Sequence, residues 1–449
     1  MSPDPAHRRR VARPGLRAAR APRALLGLLA LLALAGLPAA SARAGEEPPP
    51  PATPAALPPP PVSAAQVEAA LRRGVDWLVA SQNKDGSWGS PASNLWDIYA
   101  PFPGSQQAFQ VAASALALLG LLEVQDPRPE AARALQRGAD WLVAHHAVGR
   151  PALDVLYNTW AHAYALEALC SLLAREQDPA RRDVLRAAAA TAIDRLDRFQ
   201  FAEGGWGYYN FEEKTRRPGP GSTSFTTATA LVALQRAREQ GLQVPARLIP
   251  RAVRDIEACR YPDGSFAYGH YIHLVPRLGV NQVKGSLARS PACLLALRAW
   301  ARPSAARPVP VTEADARKAL DDLEREAHFL FIARKYPVPH EAWYQNSGYF
   351  CFYGYYYASQ LVALLPEAER ARQRDAIARR LVAVQEKDGS WWDYQLFSYH
   401  KAYGTGYVLA ALARTRPPAA TGVAPAAGAP AVEAPAVLTP AVPTPATPR

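Results

Sequence analysis

The chain has 449 residues and a formal net charge of +12, a balance that would suit a nucleic-acid-binding protein. Much of this excess lies in residues 1–44, which contain eight arginines and one aspartate, so the remainder has a net charge of about +5. That remainder has no stripe of lysine and arginine with interleaved aromatic residues, so we expect no nucleic-acid partner.

The N-terminus is typical of a secretory signal. Residues 1–23 contain seven arginines, and an apolar run of 14 residues, ALLGLLALLALAGL, follows at 24–37. This run is shorter than the ~20 residues that span a bilayer, and small residues follow it at Ala42 and Ala44. We expect residues 1–44 to be a signal peptide, the mature chain to begin at or near Gly45, and the protein to be periplasmic or secreted. Only an uncleaved signal would attach it to a membrane.

Two further segments have compositions that do not favour folding. Residues 45–63 are rich in proline and predict a stiff, disordered linker. Residues 415–449 consist mostly of Pro, Ala, Val and Thr, and too few bulky apolar residues are present to offset the entropy of ordering. The folded domain is therefore predicted to span 64–414.

This domain contains internal repeats. RGVDWLVASQ at 73–82 matches RGADWLVAHH at 137–146 in seven of ten positions, and QNKDGSW at 82–88 matches QEKDGSW at 385–391 in six of seven. Each copy runs from an amphipathic helix through a turn into a helix that is apolar nearly all round. Six such pairs predict an all-α fold, an α/α toroid of six hairpins with an inner apolar ring and an outer amphipathic ring. The alternative, an open superhelix, would need polar capping repeats that neither end shows.

The motif between the helices of a pair is interpreted as a structural joint. Glycine supplies the left-handed conformation that ends a helix, glutamine bonds backbone groups at a helix end, and tryptophan covers the joint. Closure of the ring would explain why the motif occurs near both ends of the domain. The residues assigned to this structural motif are Gln82, Gly86, Trp88, Gln200, Trp206, Gln385, Gly389 and Trp391.

The repeats resemble a known family. Arg-Gly-x-x-Trp, then Gln, then Gly-x-Trp resembles the glutamine-tryptophan repeat of triterpene cyclases, and DGSWWDYQLFSYHKAYGTGYVLAAL at 388–412 is similar to the C-terminal signature of squalene-hopene cyclases. The resemblance covers about 64–414 and extends to the superfamily of terpenoid cyclases and protein prenyltransferases, which implies the α/α toroid.

Two departures from that family limit what the resemblance implies. Squalene-hopene cyclases have two joined α-domains, whereas this chain has the length of one toroid. Neither the Asp-x-Asp-Asp-Thr protonation signature nor the prenyltransferase pattern of Asp-x-Cys with a later His is present. The resemblance therefore implies the fold but no catalytic residue, and we expect no cofactor and no metal.

A candidate site is predicted where the inner helices begin, because parallel inner helices place all their N-termini at one mouth of the ring. The segment 343–357 is unusually aromatic, with nine Trp, Tyr or Phe residues in fifteen. Aromatic faces can stabilise a cation, stack on sugars or simply pack. The predicted lining is Trp96, Tyr157, His162, Tyr344, Tyr349 and His400, and the candidate acids are Asp97, Asp154 and Asp393. Each acid also suits a cap or turn, and His162 also suits a core position.

The favoured hypothesis is an exported protein that binds, and in one version transforms, an isoprenoid or other apolar small molecule in its central cavity. A polysaccharide-active toroid enzyme is an alternative and should show an open groove with two facing carboxylates. A non-catalytic binding or scaffold protein is the other alternative and should show a filled ring.

The four cysteines show no metal-binding or redox spacing. No Cys-x-x-Cys pair occurs, and no cysteine and histidine have zinc-finger spacing. Since most of the cysteines lie in apolar helical patterns, buried thiols are favoured over disulfides for Cys170, Cys259, Cys293 and Cys351.

Overall fold

The computed structural model describes residues 58–92, 103–210, 217–305, 307–340 and 344–416. Within these ranges the chain is helical, with three isolated β-bridges and no strand. The predicted all-α toroid is confirmed. The predicted signal peptide lies outside the described residues, as do all but a few residues of the linker and tail, so these assignments stay predictions.

The helices alternate between the two rings, with two short helices added in the loops. In chain order they are α1 (Ala64–Ser81), α2 (Pro103–Val124), α3 (Pro129–His145), α4 (Asn158–Leu173), α5 (Pro179–Phe199), α6 (Ser224–Glu239), α7 (Leu248–Cys259), α8 (Val283–Ser286), α9 (Arg289–Trp300), α10 (Glu313–Arg325), α11 (His328–Ala333), α12 (Phe350–Leu361), α13 (Glu367–Val382) and α14 (His400–Ala413).

The inner helices form a closed ring. Helix α2 packs on α4, α4 on α6, α6 on α9, α9 on α12, α12 on α14, and α14 returns to α2. The first outer helix, α1, contacts both its neighbour α3 and the last outer helix, α13. Because both ends of the domain meet in both rings, the structure is a closed toroid rather than an open superhelix.

The difference between the rings follows from their side chains. Outer helix α10 begins with a capping box between Thr312 and Asp315, and its buried residues lie on one stripe that includes Leu320 and Leu323. Inner helix α2 is buried nearly all round. It is the one described helix long and apolar enough to cross a membrane, but 83% of its apolar window is buried within the protein. Packing inside the ring therefore accounts for its composition.

Tryptophan fills the joints at the two ends of the domain and in its middle. In each case the indole Nε1–H donates to the carbonyl ten residues earlier at 2.8 Å: Trp88 to Leu78, Trp206 to Leu196 and Trp391 to Leu381. The glycines of the first and last turns have positive φ, +97° at Gly86 and +91° at Gly389. These turns therefore need glycine for conformational reasons.

Glutamine links each of these joints to the next outer helix. The Gln82 amide donates to the Ala134 carbonyl of α3 at 2.8 Å. The Gln385 amide donates to the Ala70 carbonyl of α1 at 2.9 Å, and Arg73 donates back to Gln385. The last joint thus bonds the first helix, which explains in physical terms why the motif occurs at both ends of the domain.

The cysteines are buried thiols. Cys170, Cys259, Cys293 and Cys351 are all unpaired. Burial raises the thiol pKa, to about 12 for Cys170 and Cys293, so these side chains remain neutral and unreactive at ordinary pH.

Candidate functional site

Tyrosines from four loops meet where the inner helices begin. We name Tyr157, Tyr208, Tyr209, Tyr268 and Tyr349 the aromatic mouth. The hydroxyls of Tyr157 and Tyr209 are 2.7 Å apart. The hydroxyls of Tyr208 and Tyr268 are hydrogen-bonded to each other, and the Tyr349 hydroxyl interacts with both of them. Tyr208, Tyr209 and Tyr349 are half-buried, whereas the other two are buried. The mouth therefore presents ring surfaces whose hydroxyls bond one another.

Two phenylalanines form a floor under this mouth. Phe225 and Phe350 meet edge to face with ring centroids 5.1 Å apart, and each is about 1% exposed. Tyr268 contacts both rings, and Tyr208 lies 6.1 Å from Phe225. Such edge-to-face contacts hold aromatic rings in defined orientations, so the floor separates the mouth from the ring interior.

Side chains fill the interior below the floor, which we call the bore. Tyr353 and Tyr357 from α12 lie 4.8 Å apart, and Tyr164 from α4 bonds Tyr407 from α14 through their hydroxyls. The Tyr357 hydroxyl donates to Thr229 on α6 at 3.3 Å. None of these side chains is more than 5% exposed. The described part of the bore is thus packed rather than open.

The bore also contains an acid that sequence reasoning missed. Glu167 of α4 is 2% exposed and accepts a hydrogen bond from the Tyr356 hydroxyl at 2.5 Å. Burial raises the pKa of this carboxyl, while the charges of Arg236 and Arg414 oppose the shift. The available signal was a single acidic residue in the mostly apolar stretch AHAYALEALCSLL.

The two predicted acids that the structure describes, Asp154 and Asp393, do not form a facing pair. Asp154 is exposed on the loop before α4. Asp393 is fully buried, where it accepts from the Phe352 amide at 2.9 Å and from the Tyr403 hydroxyl at 2.8 Å. It therefore caps α12. Asp97 lies outside the described residues, as does Trp96.

Of the five predicted lining residues that the structure describes, two lie in the mouth, Tyr157 and Tyr349. His162 faces outward and stacks on Phe199 of outer helix α5, with ring centroids 6.0 Å apart. Tyr344 packs against Phe329 and Lys284. The His400 ring lies against Trp392, and its Nδ1 is 2.8 Å from the Phe397 carbonyl.

Three mouth residues, Tyr208, Tyr209 and Tyr268, were not predicted. The repeat does contain a signal for two of them, because Tyr208 and Tyr268 each follow the joint aromatic, Trp206 or Phe266, by two residues. Because both tyrosines stand at the same spacing from the joint, the joint motif could have indicated them.

Stability should depend on pH through Asp393. Burial raises the pKa of this carboxyl to about 6, whereas an unfolded aspartate titrates near 3.9. The folded protein therefore retains a proton that the unfolded chain releases, and the stability from this group falls by about 3 kcal/mol as pH rises from about 4 to about 6. We expect Asp393→Asn to remove this decline, as measured by denaturant unfolding across that range. Asp154→Asn is the exposed control, and an undiminished decline in Asp393→Asn would contradict the assignment.

A family model matches the first part of the folded domain. Residues 60–151 match the squalene-hopene cyclase C-terminal domain. The match supports the superfamily resemblance inferred from the repeats. No curated protein sequence matches the chain.

The solved structures to which this chain is similar include enzymes with different activities. The apo type II terpene cyclase MstE from Scytonema is 16% identical, with 79% of this chain and 98% of that chain covered and a TM-score of 0.45. The cellobiose 2-epimerase from Spirochaeta thermophila DSM 6192 is 15% identical, with 78% and 96% covered and a TM-score of 0.49. An inactive α-1,6-mannanase variant of Salegentibacter sp. HEL1_6, in complex with α-1,6-mannotetrose, is 10% identical, with 78% and 98% covered and a TM-score of 0.46. These similarities assign no activity to the chain.

Proposed function

We propose that this protein is an exported ligand-binding toroid that captures an isoprenoid or similar apolar molecule at its aromatic mouth. The proposal differs from the sequence-based hypothesis in location. The packed bore leaves no open central cavity in the described residues, so the ligand is placed on the mouth above the Phe225–Phe350 floor.

The observation that supports this proposal is how the mouth hydroxyls are paired. Tyr157 bonds Tyr209, and Tyr208 bonds Tyr268, so these hydroxyls find partners within the mouth. The half-buried ring surfaces of Tyr208, Tyr209 and Tyr349 remain for contact. Burying apolar area against such rings contributes about 25 cal/mol per Å² before the costs of ordering the ligand. A branched hydrocarbon chain suits this surface.

A polysaccharide is a weaker candidate. Sugar recognition needs several free donors and acceptors beside the aromatic faces, and hydrolysis of a glycosidic bond generally uses two carboxyl groups that flank it. Here the mouth hydroxyls bond one another, and Asp154 and Asp393 differ in location, one exposed on a loop and one buried in a helix cap. The packed bore agrees with a binding protein, so the proposal includes no chemical step.

Binding of a C15 isoprenoid alcohol, farnesol, to the mature chain tests the proposal. We expect Tyr349→Ala to weaken binding about tenfold or more, a loss of about 1.4 kcal/mol, because a central contact ring is removed. Tyr208→Phe keeps the ring and should bind nearly as well as the wild type. Equilibrium dialysis with radiolabelled farnesol measures both.

Tyr344→Ala is the matched control, since Tyr344 precedes the same helix but packs on Phe329 and Lys284. It should bind like the wild type. Equal losses in Tyr344→Ala and Tyr349→Ala, or no saturable binding by the wild type, would contradict the proposal and favour a scaffold. If the wild type binds a soluble oligosaccharide and Tyr208→Phe does not, the polysaccharide hypothesis would be favoured instead.

A further inference from the structure

Arg289, the first residue of α9, is a charged side chain in a buried position, with 1% of its surface exposed. Its guanidinium donates to three backbone carbonyls, from Nε to Phe266 at 3.0 Å, from Nη1 to Gly285 at 2.9 Å, and from Nη2 to Val280. Among the residues that the structure describes, no carboxylate bonds this guanidinium. Carbonyl dipoles alone therefore hold the positive charge, although buried charges in proteins are usually paired with an opposite charge.

The repeat shows that a joint does not require a charge at this position. In four joints the amide of the aromatic residue donates to a hydroxyl on the helix that follows. The pairs are Trp88 and Ser114, Trp206 and Thr227, Phe266 and Ser286, and Trp391 and Thr405. Three residues after these hydroxyls stand, in the same order, the buried residues Ala117, Ala230, Arg289 and Val408. An apolar residue fills the position in three of the four joints, so packing of the joint does not explain the arginine.

The guanidinium lies beside the aromatic mouth. Its Cζ is 5.7 Å from the centre of the Tyr268 ring, and the Tyr268 hydroxyl bonds that of Tyr208. Burial raises the pKa of the Tyr349 hydroxyl, and the positive charge of Arg289 opposes this rise. The charge therefore acts on the same tyrosines that would contact a ligand. Since a buried charge is screened less than one in water, its field also reaches a ligand bound there.

The charge persists at ordinary pH and is not cancelled by the acids of nearby loops. Burial lowers the pKa of Arg289 to about 10, so the side chain is protonated at neutral pH. Asp393 lies near the charge of Arg334, and Glu203 accepts from two backbone amides. Asp154 is exposed, so water and salt screen its charge. The electrostatic bias that Arg289 gives to the mouth is therefore positive.

We propose that the aromatic mouth selects an amphipathic ligand with a singly charged anionic head, a carboxylate on an isoprenoid or similar apolar chain. This inference rests on the proposed function, because it names the head group of the ligand captured there. Arg289 acts through its field rather than by contact, since it is buried. At an effective dielectric constant of about 20, two unit charges about 12 Å apart interact strongly enough to change affinity about tenfold.

The single guanidinium also limits which charges the mouth accepts. One positive charge suits one negative charge, whereas a diphosphate head is generally held by several cationic donors. A cationic ligand would be repelled by Arg289, although tyrosine faces taken alone attract cations. The order of preference is therefore anionic, then neutral, then cationic.

Three ligands with the same C15 chain and different heads test this order. Equilibrium dialysis at neutral pH compares farnesoic acid, which is ionised, with neutral farnesol and cationic farnesylamine. We expect farnesoate to bind about tenfold more tightly than farnesol, and farnesylamine about tenfold more weakly. Equal affinities for the three would overturn this inference and leave the proposed function standing. No saturable binding of any of them would contradict both.

Variants of Arg289 show whether this side chain causes the preference. Arg289→Met removes the charge and should bring the affinities for farnesoate and farnesol within about twofold of each other. Arg289→Lys keeps the charge and should keep the preference, although both substitutions lower stability because carbonyls lose donors. Arg414→Met is the matched control, since Arg414 bonds Glu123 at the end of α14 remote from the mouth.

The preference for farnesoate should be unchanged in Arg414→Met. A preference that persists in Arg289→Met, or that is lost equally in Arg414→Met, would overturn the assignment to Arg289. If Arg289→Met does not fold, the wild type and Arg289→Lys decide, and loss of the preference in Arg289→Lys would contradict a role for the charge.

Discussion

Replacing Trp88 with alanine should lower the free energy of unfolding by about 3–5 kcal/mol. The indole is fully buried, and its Nε1–H donates to Leu78. It also packs so closely on Gly138 of the next outer helix that a Cβ there would lie 2.6 Å from the ring. The variant therefore loses apolar contacts on both sides of the joint and the indole hydrogen bond to the Leu78 carbonyl. Denaturant unfolding measures the loss.

Trp392→Ala is the matched control for this experiment. Trp392 is half-buried at the surface of the last joint, where it contacts His400 and Lys335. Its replacement should cost far less, on the order of 1 kcal/mol. Equal losses in the two variants would show that the buried tryptophan is not what holds the joint.

Replacing Gly406 with valine should destabilise the fold by about 3 kcal/mol or more. Gly406 of α14 faces α2 where the ring closes, and a Cβ on it would overlap the Leu116 backbone. Across the same contact, a Cβ on Gly120 would lie 2.9 Å from the Gly406 carbonyl oxygen. Because backbone atoms cannot rotate away, any side chain at Gly406 must push the first and last inner helices apart.

The size dependence of this effect can be measured on the same contact. Gly406→Ala should be destabilised less than Gly406→Val, which keeps the test usable if the valine variant fails to fold. Gly149→Ala is the control, since a Cβ there meets no atom within 4 Å and should change stability little. If Gly406→Val unfolds like the wild type, the two helices do not close the ring as described.

The architecture could be predicted because two independent signals agree. Helix periodicity separates one-sided helices such as α10 from all-apolar helices such as α2, and the repeated joint sets the pairing between them. Trp88 and Trp391 have the same bonds in the structure because they occupy the same position in the repeat. The short helices α8 and α11 were not predicted, since they lie outside the repeat and are too short to show periodicity.

For the candidate site, the sequence could not indicate which side chains of an inner helix face the bore. An inner helix is buried on all sides, so periodicity cannot tell which face points to the bore and which to the outer ring. His162 was placed in the cavity although it faces Phe199, and Glu167, five residues later, was overlooked although it lies in the bore. The structure has Tyr157 and Tyr349 at the mouth, since a loop position just before an inner helix does not depend on that choice, and their role in ligand binding stays a prediction.

The most direct test of the central claim is to locate the ligand. A farnesol analogue with a photoactivatable diazirine is irradiated with the protein, and peptide mass spectrometry then identifies the residues in contact. We predict saturable labelling, displaced by farnesol, on peptides containing Tyr208–Tyr209, Tyr268 and Tyr349. Labelling of bore residues such as Tyr356 or Tyr407, or labelling that farnesol does not displace, would contradict the assignment of the aromatic mouth as the binding site.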